Sequence, residues 1–199
     1  SPDDDERQDL KAVKNAVTDK KFVSKDFNLT NWLALAKSNS NNLFDLIEKL
    51  VSIETPTRDK AANDDISSFT ANLMRSIGGE VTVHSQTEFG DHIAINWPSP
   101  DGNNNKQHAF VIGHLDTVWP HGTLEQMGYS EKEGRLYGPG VLDMKAGIAT
   151  TIVGLATLKH NNLWPNRPVK ILFNTDEEVG SPSSRPLVEH YAKGAAYAL

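Results

Sequence analysis

AFVIGHLDT, at residues 109–117, is the stretch of this 199-residue chain that decides the fold. Its first five residues form a continuous apolar run, which is typical of a β-strand covered on both faces. A second run of this kind, VKILF, lies at residues 169–173, and we predict a helix between the two runs at residues 146–158. Strands that alternate with helices predict an α/β domain with a largely parallel central sheet.

The residues around these two runs supply the flanking elements. Apolar residues at helical spacing predict one amphipathic helix over residues 42–53 and a second that is closed by Gly78 and Gly79. At residues 81–83 and 93–95 the period changes to two, which predicts strands. The remaining segments are a polar loop, a polar turn, a short helix and the start of a further strand, predicted at residues 39–42, 99–107, 186–193 and 195–199.

Composition argues against several kinds of partner and of chemistry. With 38% hydrophobic and 23% charged residues, the chain has the composition of a globular domain. The net charge of −6 gives no electrostatic reason to expect nucleic acid or an anionic membrane as a partner. The absence of cysteine excludes disulfides and thiolate chemistry. We find no apolar run near the roughly 18 residues of a membrane-spanning helix, so we expect no membrane partner.

Three polar segments at the ends of predicted strands or the start of a helix hold the candidate chemistry. A spacing of two puts His114 and Asp116 on one side of an extended chain, where the carboxylate can accept the second N–H of a metal-bound imidazole. Asp143 lies just ahead of the 146–158 helix, and Glu177 and Glu178 follow the second apolar strand. Neighbouring carboxylates repel each other unless a cation relieves the repulsion.

Each segment alone also has an ordinary interpretation. His114 could be a core histidine, Asp143 a helix N-cap, and the acidic run a solvated loop. Together, however, the segments lie where ligands bind at the edge of an α/β sheet. One imidazole with several carboxylates suits zinc or another divalent ion. Two carboxylate ligands plus a separate carboxylate base are what metal-assisted amide hydrolysis requires.

The letters, order and spacing of these segments resemble three signatures of one metallopeptidase family. The matching motifs are HLDTV at residues 114–118, GPGVLDMK at 138–145, and TDEE with GS at 175–181. The family contains glutamate carboxypeptidase, acetylornithine deacetylase, succinyl-diaminopimelate desuccinylase and aminoacylase, and this chain most resembles the glutamate carboxypeptidase branch. The resemblance implies a three-layer, zinc-exopeptidase-like α/β domain with a mixed, largely parallel sheet.

The resemblance also implies a role for each motif residue. His114 would bind the first of two divalent metal ions, expected to be zinc, with Asp116 as its orienting partner. Asp143 would bridge both ions, and Glu178 would bind the second. Glu177 would be the general base that takes a proton from the attacking water.

The resemblance implies that the site is not complete within these residues. Residues 1–41 would be a helical leader and 42–199 the first part of the catalytic domain. A further carboxylate ligand is expected just past Leu199 and a histidine ligand near a distant C-terminus, so that residues 1–199 alone would bind metal poorly and catalyse little. A lid domain with dimer contacts is expected to be missing as well. The resemblance also implies a cis peptide between Asp143 and Met144, and Ser183 stands where relatives often have glycine.

These residues predict a metal-dependent hydrolase that cleaves an amide bond of a small peptide or N-acyl amino acid. The leading subclass is a glutamate-carboxypeptidase-like exopeptidase. An N-acyl amino acid deacylase and a non-catalytic binding protein on the same fold remain the alternatives. A homodimer formed through the lid domain is expected for the full-length protein. The compartment stays open between the cytoplasm and a periplasmic or secreted location after leader removal.

Overall fold

The computed structural model describes residues 29–199, with side chains from Leu33 onward, so most of the predicted leader lies outside the described residues. The helices are α1 (Leu29–Ser38), α2 (Ser40–Val51), α3 (Lys60–Ser76), α4 (Thr123–Gln126), α5 (Ala146–His160) and α6 (Arg185–Ala192). The strands are β1 (Glu80–His84), β2 (His92–Trp97), β3 (His108–His114), β4 (Ser130–Lys132), β5 (Arg135–Tyr137), β6 (Val169–Asn174) and β7 (Ala195–Ala198). Short helical turns occupy Val141–Lys145 and Glu177–Val179.

The central sheet has five strands in the order β1-β2-β6-β3-β7. Strand β3 pairs in parallel with β6 and with β7, whereas β2 is antiparallel to both of its neighbours, β1 and β6. All strands of this sheet except β2 therefore run in the same direction. This is the mixed, largely parallel sheet that the sequence predicts.

Two separate apolar clusters cover the two faces of the sheet. Neighbouring residues of a strand point to opposite faces, so Ile171 joins the larger cluster and Leu172 the smaller one. Helices α2, α3 and α5 pack in the larger cluster. Helix α6 contributes Leu187 and Val188 to the smaller one. The domain thus has three layers, which confirms the predicted fold class.

The end of α3 is fixed by the two glycines that the sequence marks as its cap. Gly78 has a φ of +84°, which favours glycine, and its N–H donates to the Arg75 carbonyl at 3.0 Å. The N–H of Gly79 donates to the Met74 carbonyl at 2.9 Å, so the pair forms a Schellman cap.

One local prediction is wrong, and one element was not predicted. The polar segment at residues 39–42 is not a loop, because α1 and α2 are separated by Asn39 alone. The buried side-chain amide of Asn39 donates to the Leu35 carbonyl at the end of α1. The backbone carbonyl of Asn39 accepts the N–H of Leu43 in α2. The β4–β5 hairpin was not predicted. Its two turn residues, Glu133 and Gly134, both have positive φ, and glutamate is not a residue that signals such a turn.

Within residues 29–199, the stretch Val141–His160 is long and apolar enough to match a membrane-spanning helix. The prediction that no such stretch exists is therefore wrong in this place, because small residues interrupt the apolar run without making the stretch polar overall. In the structure 50% of the most apolar window of this stretch is buried inside the domain. A buried core helix has the same length and composition, so this match is weak support for a membrane span.

The buried hydroxyl of Thr70 in α3 allows a test of the packing. Its Oγ1 has no hydrogen-bond partner among the described residues. We expect Thr70→Val, which replaces this hydroxyl with a methyl group, to raise the free energy of unfolding by about 1 kcal/mol in a urea titration.

Ser67→Ala on the same helix is the matched control. The buried Ser67 hydroxyl donates to the Asp91 carbonyl at 2.7 Å, so its removal should lower the free energy of unfolding by about 1 kcal/mol. A loss of stability in both variants would contradict the packing described for Thr70.

Candidate metal centre

Strands β3 and β6 end side by side. His114 and Asn174 are paired in the parallel register, and the N–H of Leu115 donates to the Asn174 carbonyl at 2.8 Å. The segments that follow the two strands therefore leave the sheet at the same edge. This brings Asp116 of the first segment close to Glu177 and Glu178 of the second.

The turn before α5 brings Asp143 to the same edge. Gly140, which opens this turn, has a φ of +69°, and a Cβ there would lie 2.7 Å from Thr117 Cγ2. The peptide between Asp143 and Met144 is cis, as the resemblance implies. Met144 Sδ accepts the backbone N–H of His114 at 3.3 Å, so the turn packs directly against the end of β3.

Three of the predicted site residues form one cluster. His114, Asp143 and Glu178 each offer a possible ligand atom, and all three atoms lie within 4.8 Å of one another. The Nε2 of His114 is 2.8 Å from Asp143 Oδ1 and 3.8 Å from Glu177 Oε2. His114 is buried, whereas the Asp143 side chain is 71% exposed, so the cluster is open on one side.

Asp116 lies behind this cluster and is fully buried. Its carboxylate accepts the hydroxyl of Thr57 at 2.8 Å and the N–H groups of Glu177 and Glu178 at 3.3 and 3.2 Å. The Nδ1 of His114 lies 2.9 Å from the Asp116 carbonyl oxygen and 3.5 Å from its carboxylate. Asp116 is thus in position to orient the imidazole, with its backbone carbonyl as the nearer acceptor.

The charges of the cluster favour a cation. Burial acts against a charged imidazole, but hydrogen bonds to the carboxylates of Asp116 and Asp143 outweigh it and raise the pKa of His114 to about 9. The pKa of Glu178 is raised, first by burial and then by the negative charges of Asp143, Asp116 and Glu177, although His114 acts in the opposite sense. A proton on His114 therefore supplies a positive charge that offsets the repulsion between the carboxylates.

This donor set fits a divalent metal ion. One imidazole nitrogen and carboxylate oxygens are the ligands that zinc takes in hydrolytic sites. His114 must lose its ring proton to coordinate, so metal binding to this cluster should release a proton to solvent. His114, Asp143 and Glu178 are the residues that would hold the ion.

A second buried network fixes the acidic turn, and the sequence did not reveal it. The Asp176 carboxylate is buried, which tends to raise its pKa, but hydrogen bonds from the hydroxyl and N–H groups of Ser183 and Ser184 outweigh this and lower the pKa. The Thr175 N–H donates to His92 Nδ1 at 3.2 Å, so the ring proton of His92 lies on Nε2. That group faces the Ser183 hydroxyl at 2.9 Å.

Ser183, which the resemblance marks as a departure, has a structural role in this network. Its hydroxyl donates to Asp176 at 2.7 Å and accepts from His92, which joins the start of β2 to the turn that carries Glu177 and Glu178. The resemblance singled out Ser183 but did not indicate this link. Nothing in the spacing of the chain pointed to His92 as its partner.

A double-mutant cycle tests the link between His92 and Ser183. Ser183→Ala leaves the buried Nε2–H of His92 without its acceptor, and we expect the free energy of unfolding to fall by about 2 kcal/mol. In a His92→Phe background no ring N–H faces residue 183, so the same change should cost about 1 kcal/mol less. Equal costs in both backgrounds, measured by urea unfolding, would show that the two side chains are not coupled.

Comparison with known proteins agrees with the motifs and the fold. Residues 110–199 match the family model described as peptidase family M20/M25/M40. Carboxypeptidase G2 of Pseudomonas sp. (strain RS-16) is 32% identical over 83% of this chain and 42% of its own length. Succinyl-diaminopimelate desuccinylase of Orientia tsutsugamushi (strain Boryong) is 31% identical over 68% of this chain and 34% of its own length.

The fold has solved counterparts as well. The crystal structure of human carnosine dipeptidase 1 superposes with a TM-score of 0.69, with 18% sequence identity, over 83% of this chain and 39% of that one. This chain spans less than half the length of each of these relatives. The motif resemblance is confirmed, because residues 110–199 match the model of peptidase family M20/M25/M40.

Proposed function

We propose that this protein is a metal-dependent hydrolase that cleaves the amide bond of a small peptide or an N-acyl amino acid. The observation that carries the proposal is the cluster of His114, Asp143 and Glu178, which is open to solvent on one side and has Glu177 beside it. The similarity of the chain to a carboxypeptidase and to a desuccinylase supports the same reaction class.

The ligand roles of the cluster are part of this proposal. A divalent cation held there, for which zinc is the proposed choice, would polarise a substrate carbonyl and lower the pKa of a water molecule. We further propose two ions, with Asp143 shared between them. The exposed side chain of Asp143 supports this, because Oδ1 faces His114 while the carboxylate stays accessible from solvent.

Glu177 is the proposed general base. Its backbone N–H is held by Asp116 Oδ1, and its side chain is 51% exposed. The carboxylate therefore stays beside the ligands and can accept a proton from an attacking water. Because Oε2 lies 3.8 Å from His114 Nε2, the two groups are close enough to act on the same substrate.

We base the proposed substrate class on the similarity of the chain to two relatives. The 32% identity to carboxypeptidase G2 favours a glutamate-carboxypeptidase-like exopeptidase as the leading proposal. The similarity to succinyl-diaminopimelate desuccinylase favours N-acyl amino acid deacylation as the second candidate. Both reactions hydrolyse an amide in a small carboxylate-bearing molecule, so they use the same proposed centre.

Glu177→Gln tests the assigned base in the complete protein, loaded with zinc. We expect hydrolysis of peptides ending in glutamate, or of N-succinyl amino acids, to fall at least about 100-fold, because an amide cannot accept the proton. Zinc affinity should change little, since Glu177 is not a proposed ligand. The rate is measured as the release of the free amino acid over time.

Glu80→Gln is the matched control. Glu80 begins β1 at the edge of the sheet opposite to the metal centre, where its exposed side chain accepts from Asn96, so the same chemical change should leave the rate unaltered. A Glu177→Gln protein that works at the parent rate would refute the assigned base. A parent protein that binds zinc and hydrolyses neither substrate class would instead favour a non-catalytic binding protein.

A further inference from the structure

Thr57 lies in the short segment between α2 and α3. We infer that Thr57 is a positioning residue of the metal centre, which it influences through the carboxylate of Asp116. The inference rests on the proposed function, because it concerns how the same centre is held. Thr57 itself does not belong to the proposed set of ligands.

The segment that carries Thr57 docks against the chain that continues past β3. The N–H of Thr117 donates to the Thr55 carbonyl at 2.8 Å, and the N–H of Thr57 donates to the Thr117 carbonyl at 3.3 Å. Pro56 and Thr117 form a parallel β-bridge. Thr55 adds a hydrogen bond of 2.8 Å from its hydroxyl to the Leu115 carbonyl. The backbone therefore fixes residue 57 beside Asp116 without help from its side chain.

The Thr57 hydroxyl then makes the contact that matters for the site. It lies 2.8 Å from Asp116 Oδ2 and 3.3 Å from the Thr117 carbonyl, and both Thr57 and Asp116 are buried. A hydroxyl has one proton to donate. The shorter contact to a charged acceptor is the stronger one, so the proton goes to the carboxylate.

This hydrogen bond sets the orientation of the Asp116 carboxylate. Oδ2 receives both the Thr57 hydroxyl and the Glu178 N–H, which leaves Oδ1 to accept the Glu177 N–H. Without the Thr57 hydroxyl, the Asp116 carboxylate loses the one hydroxyl donor that it has among the described residues. The carboxylate is then held by the two backbone N–H groups and by His114, so its orientation, and with it the position of both glutamates, is less tightly fixed.

Loss of the Thr57 hydroxyl should weaken metal binding because Asp116 contacts two of the proposed ligands. Glu178 is a proposed ligand whose N–H is tied to Asp116 Oδ2 at 3.2 Å. His114, a second proposed ligand, has Nδ1 3.5 Å from Asp116 Oδ1. Partners behind the ligands commonly contribute 10- to 100-fold to metal affinity, roughly, because they fix the orientation of the ligands. Thr57 holds one such partner.

The test is the zinc affinity of the complete protein, measured by competition with a chromophoric chelator. Thr57→Val keeps the shape and removes the donor, and we expect about tenfold weaker binding. Thr57→Ser keeps the hydroxyl and should retain most of the affinity. Thr57→Ala also removes the donor and should weaken binding to a similar extent, and it carries the test if the valine variant does not fold.

Thr55→Val is the matched control. Thr55 is equally buried and also donates at 2.8 Å, but to a backbone carbonyl, so its loss should reduce stability and leave zinc affinity near that of the parent. Parent-like affinity in folded Thr57→Val or Thr57→Ala would overturn the inference, as would equal losses at positions 55 and 57. In either case zinc binding by the parent still supports the proposed function. A parent that binds no zinc overturns both.

Discussion

The buried carboxylate of Asp116 ties together segments that are far apart in the sequence. It accepts hydrogen bonds from Thr57 before α3 and from the backbone of Glu177 and Glu178 after β6, and it lies behind His114 at the end of β3. A buried charge is costly without partners, and these donors together offset that cost. The acidic turn therefore has a fixed position relative to the histidine before any ion arrives.

A fixed position of this kind has an electrostatic cost that only a cation relieves. The carboxylates of Asp143, Glu177 and Glu178 lie beside one imidazole. Although burial opposes the charged ring, hydrogen bonds to Asp116 and Asp143 raise the pKa of His114 to about 9. A globular domain gains no stability from such a cluster unless a positive charge balances it. The second network, through Asp176, supplies the stiffness that keeps the turn from relaxing away.

The sequence was sufficient for the parts of the structure that depend on short-range pattern. Apolar runs located β3 and β6, the paired glycines located the end of α3, and the motifs located the members of the cluster. The sequence was insufficient where a long-range contact decides the outcome. Thr57 lies 59 positions from Asp116 and His92 lies 91 positions from Ser183. Neither pair has a periodic signature, because only the order of strands in the sheet brings its members together.

The most direct test of this account is calorimetric titration of zinc into the complete protein and two histidine variants. His121 is the natural comparison, since it is also close to two carboxylates, at 2.7 Å from Asp59 and 3.5 Å from Glu54. The account predicts that the parent and His121→Ala bind zinc alike, with proton release, and that His114→Ala loses most of the affinity. Zinc binding by His114→Ala at the parent affinity would contradict the metal centre proposed here.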